Sequence, residues 1–298
     1  MTIEDVRAVL ADQIAEPASW RAVPVLDSGE TAYVFTSPPD GWFRDWQAAR
    51  RALPQTGRWP IAVSVWGGPD DDELFSRGDM DYVPDLDVSP LAILSRIDTV
   101  DVERMLDDHE ARDRVYLPDD EHLAFMLGET VKRVGSAPSL AELHAALDPS
   151  PRFLAVERWL LDWESDHGAA SVTLTGNPEY LDWFTPDNVS IALLPSPDPW
   201  ASYAYVGGFE WGNPHPDLRA AVARRWHQRF GAEPAANWAT IQQLVVPRPP
   251  SDVWTAWELA REISLLWPDT AGGLIGVDTR DHARDLVGRS DWFLHYKP

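Results

Sequence analysis

From Asp217 to His295 the sequence switches period repeatedly, and that switching limits the folds open to the chain. Apolar residues recur at helical spacing over 217–230, a strand is expected over 240–247, helical spacing returns over 253–266 and 280–288, and a short strand closes the series at 292–295. Upstream the same reading gives an opening helix from Ile3, with Thr2 as its N-cap and Asp5 three residues on. Two strands at 20–26 and 31–36 flank the Asp27-Ser28-Gly29-Glu30 turn, a helix follows at 42–53, and a buried strand at 61–66. A helix is expected near 100–114. The stretch 119–168 reads as helix-rich, broken by Pro138, Pro149 and Pro151, with strands at 171–174 and 189–194. Strands and helices mix without regular crossover repeats, which points to an α+β fold: mixed or antiparallel sheets flanked by helices, in two similar-sized lobes. The expected division is an N-terminal α+β lobe over 1–125, carrying an acidic loop, and a C-terminal α+β domain over 126–298 with its core at 218–298.

Charge is uneven along the chain. The net formal charge is −23, and between Asp70 and Glu121 there are 18 acidic residues against five arginines. That 52-residue segment holds more than half of the excess. A field of this sign repels phosphate, so neither nucleic acid nor an anionic membrane is an expected partner; a basic protein, such as a toxin, is. Asp70, Asp71, Asp72 and Glu73 open the segment and are its candidate contact residues. No apolar run approaches the ~20 residues needed to span a bilayer, and Met1-Thr2-Ile3-Glu4-Asp5 lacks the character of a secretory leader. The expectation is a cytoplasmic protein.

The absence of cysteine removes disulfides, thiolate metal sites and cysteine nucleophiles. The Gly207-Gly208 and Gly272-Gly273 pairs lack the spacing and the Lys-Ser/Thr of phosphate loops, and zinc-protease and nucleophile-elbow motifs are missing. Asp119-Asp120-Glu121-His122 sets carboxylates beside an imidazole, but acids at this point also suit the start of a helix. No cofactor, metal or catalytic residue is expected. The best candidate recognition loop runs from Phe209 to Pro216 and displays Phe209, Glu210, Trp211 and His215 on a chain stiffened by two prolines. The 16 tryptophans include helical pairs at Trp159/Trp163 and Trp254/Trp257, whose spacing suits one buried face each.

Particular residues of the C-terminal third carry a resemblance. Arg225-Trp226, Arg229-Phe230-Gly231-Ala232-Glu233, Pro249-Pro250, and Ala260 with Glu262 occur in an order that resembles an actinobacterial domain-of-unknown-function family numbered 4253. Leu53 to Pro60 is similar to that family's helix-to-strand entry. The resemblance implies a structural role for Trp226, Arg229, Gly231, Pro250 and Glu262. Family members often carry a histidine after that glutamate and a cysteine before the Pro-Asp, where this chain has Ile263 and Trp267. Losing those polar groups favours binding over chemistry. The expected function is therefore a non-enzymatic protein-binding module of immunity or antitoxin type. The alternative is an enzyme of hydrolase type with an acid and histidine site in the cleft between lobes, using Glu210, His215, Glu262 or Asp269.

Overall fold

The computed structural model describes residues 1–14, 19–25, 28–64, 89–112, 118–147, 151–168, 184–206, 216–271 and 278–296. Contact density divides the chain into two discontinuous units, one over Met1–Val102, Trp183–Arg248 and Ser290–Pro298, the other over Glu103–Asp182 and Pro249–Arg289.

The first unit is built on one mixed seven-stranded sheet. Its strands are β1 (Trp20–Pro24), β2 (Thr31–Ser37), β3 (Trp59–Val63), β4 (Val189–Leu194), β5 (Glu233–Asn237), β6 (Ile241–Val245) and β7 (Asp291–His295), in the order β1-β2-β4-β3-β5-β6-β7. All neighbours pair antiparallel except β3 and β5, which run parallel. The central strands β3 (Trp-Pro-Ile-Ala-Val) and β4 (Val-Ser-Ile-Ala-Leu-Leu) are buried at every residue, which is why both are apolar apart from Ser190.

Strand β5 is a different case. Its Glu-Pro-Ala-Ala-Asn sequence has poor strand propensity and was not expected as a strand. It is held by β3 on one side and β6 on the other, with the register slipping between Pro234 and Ala236. An irregularity is where a proline without an N–H is tolerated in a sheet, and the Pro234 carbonyl still accepts a hydrogen bond from Trp59 Nε1 at 3.2 Å.

Helices α1 (Ile3–Leu10), α2 (Trp42–Arg51), α3 (Leu53–Thr56), α4 (Pro90–Arg96), α9 (Ser202–Tyr205) and α10 (Pro216–Phe230) belong to the same unit. The expected Thr2–Asp5 cap of α1 forms as a reciprocal capping box. Helix α2 turns Trp42, Asp45, Trp46, Ala48 and Ala49 inward. Trp46 Nε1 donates to the Pro60 carbonyl at 2.9 Å, and Trp42 meets Trp238 edge-on at 5.3 Å.

The second unit is helical. It contains α5 (Val102–Arg112), α6 (Asp120–Val134), α7 (Leu140–Ala146), α8 (Phe153–Asp166), α11 (Val253–Leu266) and α12 (Thr279–Leu286). Leu123, Met126 and Leu127 of α6 pack with Leu143 of α7 and with Val156 and Leu160 of α8. The acids at 119–121 act as helix-start residues: the Asp119 carboxylate caps α6 by accepting from the His122 N–H at 2.9 Å. Gly135 closes α6 in the left-handed region at φ +82°.

Candidate functional site

Trp226 of α10 is fully buried and meets Trp292 of β7 edge-on at 5.8 Å. Gly231, just past α10, has φ +69°, and a Cβ there would lie 2.9 Å from Pro247 Cγ. Two constraints therefore require glycine at this position. Pro250 is buried and its carbonyl accepts from the Gly288 N–H at 2.9 Å; Glu262 of α11 is buried as well. Arg229 is exposed, with its guanidinium 4.9 Å from the Phe230 ring centroid. The recognition candidates Phe209, Glu210, Trp211 and His215, and the acids Asp70, Asp71, Asp72 and Glu73, lie outside the described residues.

Among the described residues, the densest polar cluster is ionic and was not expected from the sequence. In the second unit, Glu157 and Glu164 lie seven residues apart on α8 and so share one face. Facing them are Arg133 of α6, and Arg280, Asp281 and Arg284 of α12, with Asp278 at that helix's N-cap. Arg133 donates from Nε to Asp281 Oδ1 at 3.0 Å and from Nη2 to Asp281 Oδ2 at 2.6 Å and Asp278 Oδ2 at 2.7 Å. Glu164 accepts from Thr130 Oγ1 at 2.7 Å and from Arg284 Nη2 at 2.5 Å. Arg280 donates its backbone N–H to Glu157 Oε2 at 3.1 Å and Nη2 to Asp278 at 3.2 Å. Its Nη1 stands 3.6 Å from Glu157 Oε1, too far for a good hydrogen bond.

The side chains of Arg133, Arg280, Glu157, Glu164 and Asp281 are all fully buried. Three guanidiniums thus face four carboxylates, one negative charge too many for a buried cluster. Burial pushes the Glu157 carboxyl up to about 7 against the pull of Arg280. With its proton retained, Glu157 brings the cluster to neutrality. Burial would lower the Arg133 pKa, but hydrogen bonds and charge from Asp281 and Asp278 outweigh it and raise the value. His282, next on α12, is driven down to about 4 by burial and by Arg289, so it stays neutral. Carboxylates engaged in this way are not free to act as bases. The cluster is a brace joining α6, α8 and α12.

In the first unit a cavity of about 10 Å³ is lined by Ile61, Ser202, Tyr203, Pro234, Ala236, Asn237 and Gln242. Gln242 Oε1 is buried there without a hydrogen bond. The space suits one water rather than a substrate. Among the described residues, no group of three His, Asp or Glu side chains is placed to hold a metal, and no helix is long and apolar enough to cross a membrane.

The described part of the acidic segment is largely at the surface. Glu103, Asp107 and Asp108 are exposed on α5, as are Asp119, Asp120 and Glu121 at the start of α6. Of these, Asp107 pairs with Arg261 at 2.7 Å, Asp108 with Arg104 at 3.8 Å, and Asp120 with His144 at 3.2 Å.

No curated protein and no solved structure matches the chain. The model of a domain of unknown function matches residues 190–296, which span β4, α9, α10, β5, β6, α11, α12 and β7 and contain the Trp226, Gly231, Pro250 and Glu262 positions described above. Over that segment the chain is similar to the family Domain of unknown function (DUF4253).

Proposed function

We propose that the protein is a cytoplasmic, non-catalytic binding module that captures a basic protein, in the manner of an immunity protein or antitoxin. Its charge is the observation that carries this reading: −23 in total, with a large share between Asp70 and Glu121, where the acids of α5 and of the start of α6 stand exposed. Such a field raises the encounter rate with a positive surface and disfavours acidic competitors.

The test measures association with the protein products of the genes flanking its own, at low and at physiological salt. A basic partner should bind with an on-rate that falls as salt rises. Neutralising Asp70, Asp71, Asp72 and Glu73 together should slow association and flatten that dependence with little change in thermal stability. If neither flanking product binds, or if binding is indifferent to salt and to the fourfold variant, the reading is wrong.

A further inference from the structure

We propose that the outward face of α6 is the seat for a basic amphipathic helix of the partner; this rests on the binding role above. The buried side of α6 is fixed by Leu123, Met126 and Leu127 in the core and by Thr130 and Arg133 in the ionic brace. Its outer side carries two large apolar groups, Phe125 at 61% and Val131 at 46% exposure. Between them sits Gly128, one turn after the exposed Ala124.

A glycine inside a helix costs about 1 kcal/mol relative to alanine. Here nothing within the chain requires it: a Cβ at Gly128 would meet no described atom within 4 Å. Small residues at 124 and 128, walled by Phe125 and Val131, form a shallow floor on which a second helix backbone can approach closely.

Charge selects the occupant. Asp119, Asp120 and Glu121 are exposed at the N-terminal end of this face, with Glu121 one turn before Phe125. At the other end Lys132 pairs with Glu129 on the same helix. A helix presenting apolar residues to Phe125 and Val131, with lysine or arginine over 119–121, satisfies both features. A second copy of this chain would bring another −23 surface to it instead.

The experiment uses the full chain and two synthetic helical peptides of about 16 residues, long enough to hold a helix. Both carry Leu at i, i+3, i+4 and i+7; the remaining positions are Lys and Arg in one and Glu in the other. The cationic peptide should bind and slow hydrogen exchange across 120–134. Phe125→Ala and Gly128→Gln should each weaken it about tenfold or more, as expected for central contacts. Gly128→Gln improves helix propensity, so its urea midpoint should not fall, which separates a blocked floor from misfolding. If the peptide binds with protection elsewhere and both variants bind as the parent does, this seat is wrong while the acidic-capture reading stands. Failure of the cationic peptide to bind even at low salt sinks both. A concentration-dependent dimer lost in Phe125→Ala would assign the face to a second copy and overturn the proposal.

Discussion

Replacing Arg133 with methionine keeps the length of the side chain and removes one of the three guanidiniums of the brace. Arg133 gives Asp281 three hydrogen bonds and Asp278 one, and it stands 3.7 Å from Glu164. After the change two arginines would face four carboxylates, two of them, Asp281 and Glu164, fully buried acids that had Arg133 beside them. Breaking a buried pair from one side costs about 3–5 kcal/mol, because the remaining charge is left in a poor medium. A second change, Asp281→Asn, removes much of that uncompensated charge, so the double variant should lose less than the sum of the singles by about 1–3 kcal/mol. Urea unfolding gives the totals. Hydrogen exchange on α6, α8 and α12 places the loss, since two contact units need not melt in one transition. A single-variant loss below about 1 kcal/mol, or strict additivity in the cycle, would show that these groups lie close together without holding the helices.

Glu157→Gln should alter the pH profile of stability in a defined window. The carboxyl titrates near 4.5 when unfolded and near 7 when folded, so its contribution to stability declines as pH rises from about 4.5 to 7; the amide lacks that decline, and the gap between variant and parent should widen across the interval. His282 works oppositely, its folded value of about 4 against 6.5 costing stability as pH falls through that range, so the Gln variant should lose stability on acidification more steeply than the parent. Parallel urea-midpoint profiles would refute the assignment. Gly231→Ala should cost about 2 kcal/mol or more, combining a left-handed backbone with a Cβ placed 2.9 Å from Pro247; thermal or urea melts decide it. Ala239→Gly relieves a φ of +68° in the β5–β6 turn and should leave stability unchanged or raise it by up to about 1 kcal/mol. A loss above about 0.5 kcal/mol would mean the alanine methyl matters more than the strain.

What the sequence disclosed depended on whether the signal was local. Helix α11 and strand β4 form over the expected residues, and α10 within one residue of them, because periodicity and boundary residues agree there. Strand β5 was hidden because Glu-Pro-Ala-Ala-Asn has no strand signal of its own; its neighbours in the sheet impose the conformation. A trace of the ionic brace was present: Glu157 and Glu164 interrupt the stripe of Leu154, Leu160 and Leu161 on a helix that is otherwise apolar on that side. Acids on a buried stripe need cations, but nothing local to α8 says that they come from residues 133, 280 and 284. Phe125 and Val131 escaped notice because helical spacing marks apolar positions without saying which of them face out.

The family segment itself is not structurally self-sufficient, and this constrains what it can do alone. Residues 190–296 supply β4, β5, β6 and β7, yet β4 pairs with β2 and β3, and β5 takes β3 as its parallel neighbour. Without residues 31–63, β4 has no strand partner and one side of β5 is left open. The segment also passes from the first contact unit to the second after Arg248 and returns at Ser290. Its α12 brings Arg280, Asp281 and Arg284, whose partners Arg133, Glu157 and Glu164 precede residue 190. Within the segment Arg280 keeps Asp278 and Asp281 keeps Arg284, but the buried Arg280 and Asp281 lose Glu157 and Arg133, and breaking a buried pair from one side is costly. The Gly231 and Trp226 positions of the segment fix the chain within the first unit, through the approach to Pro247 and the edge-on pair with Trp292.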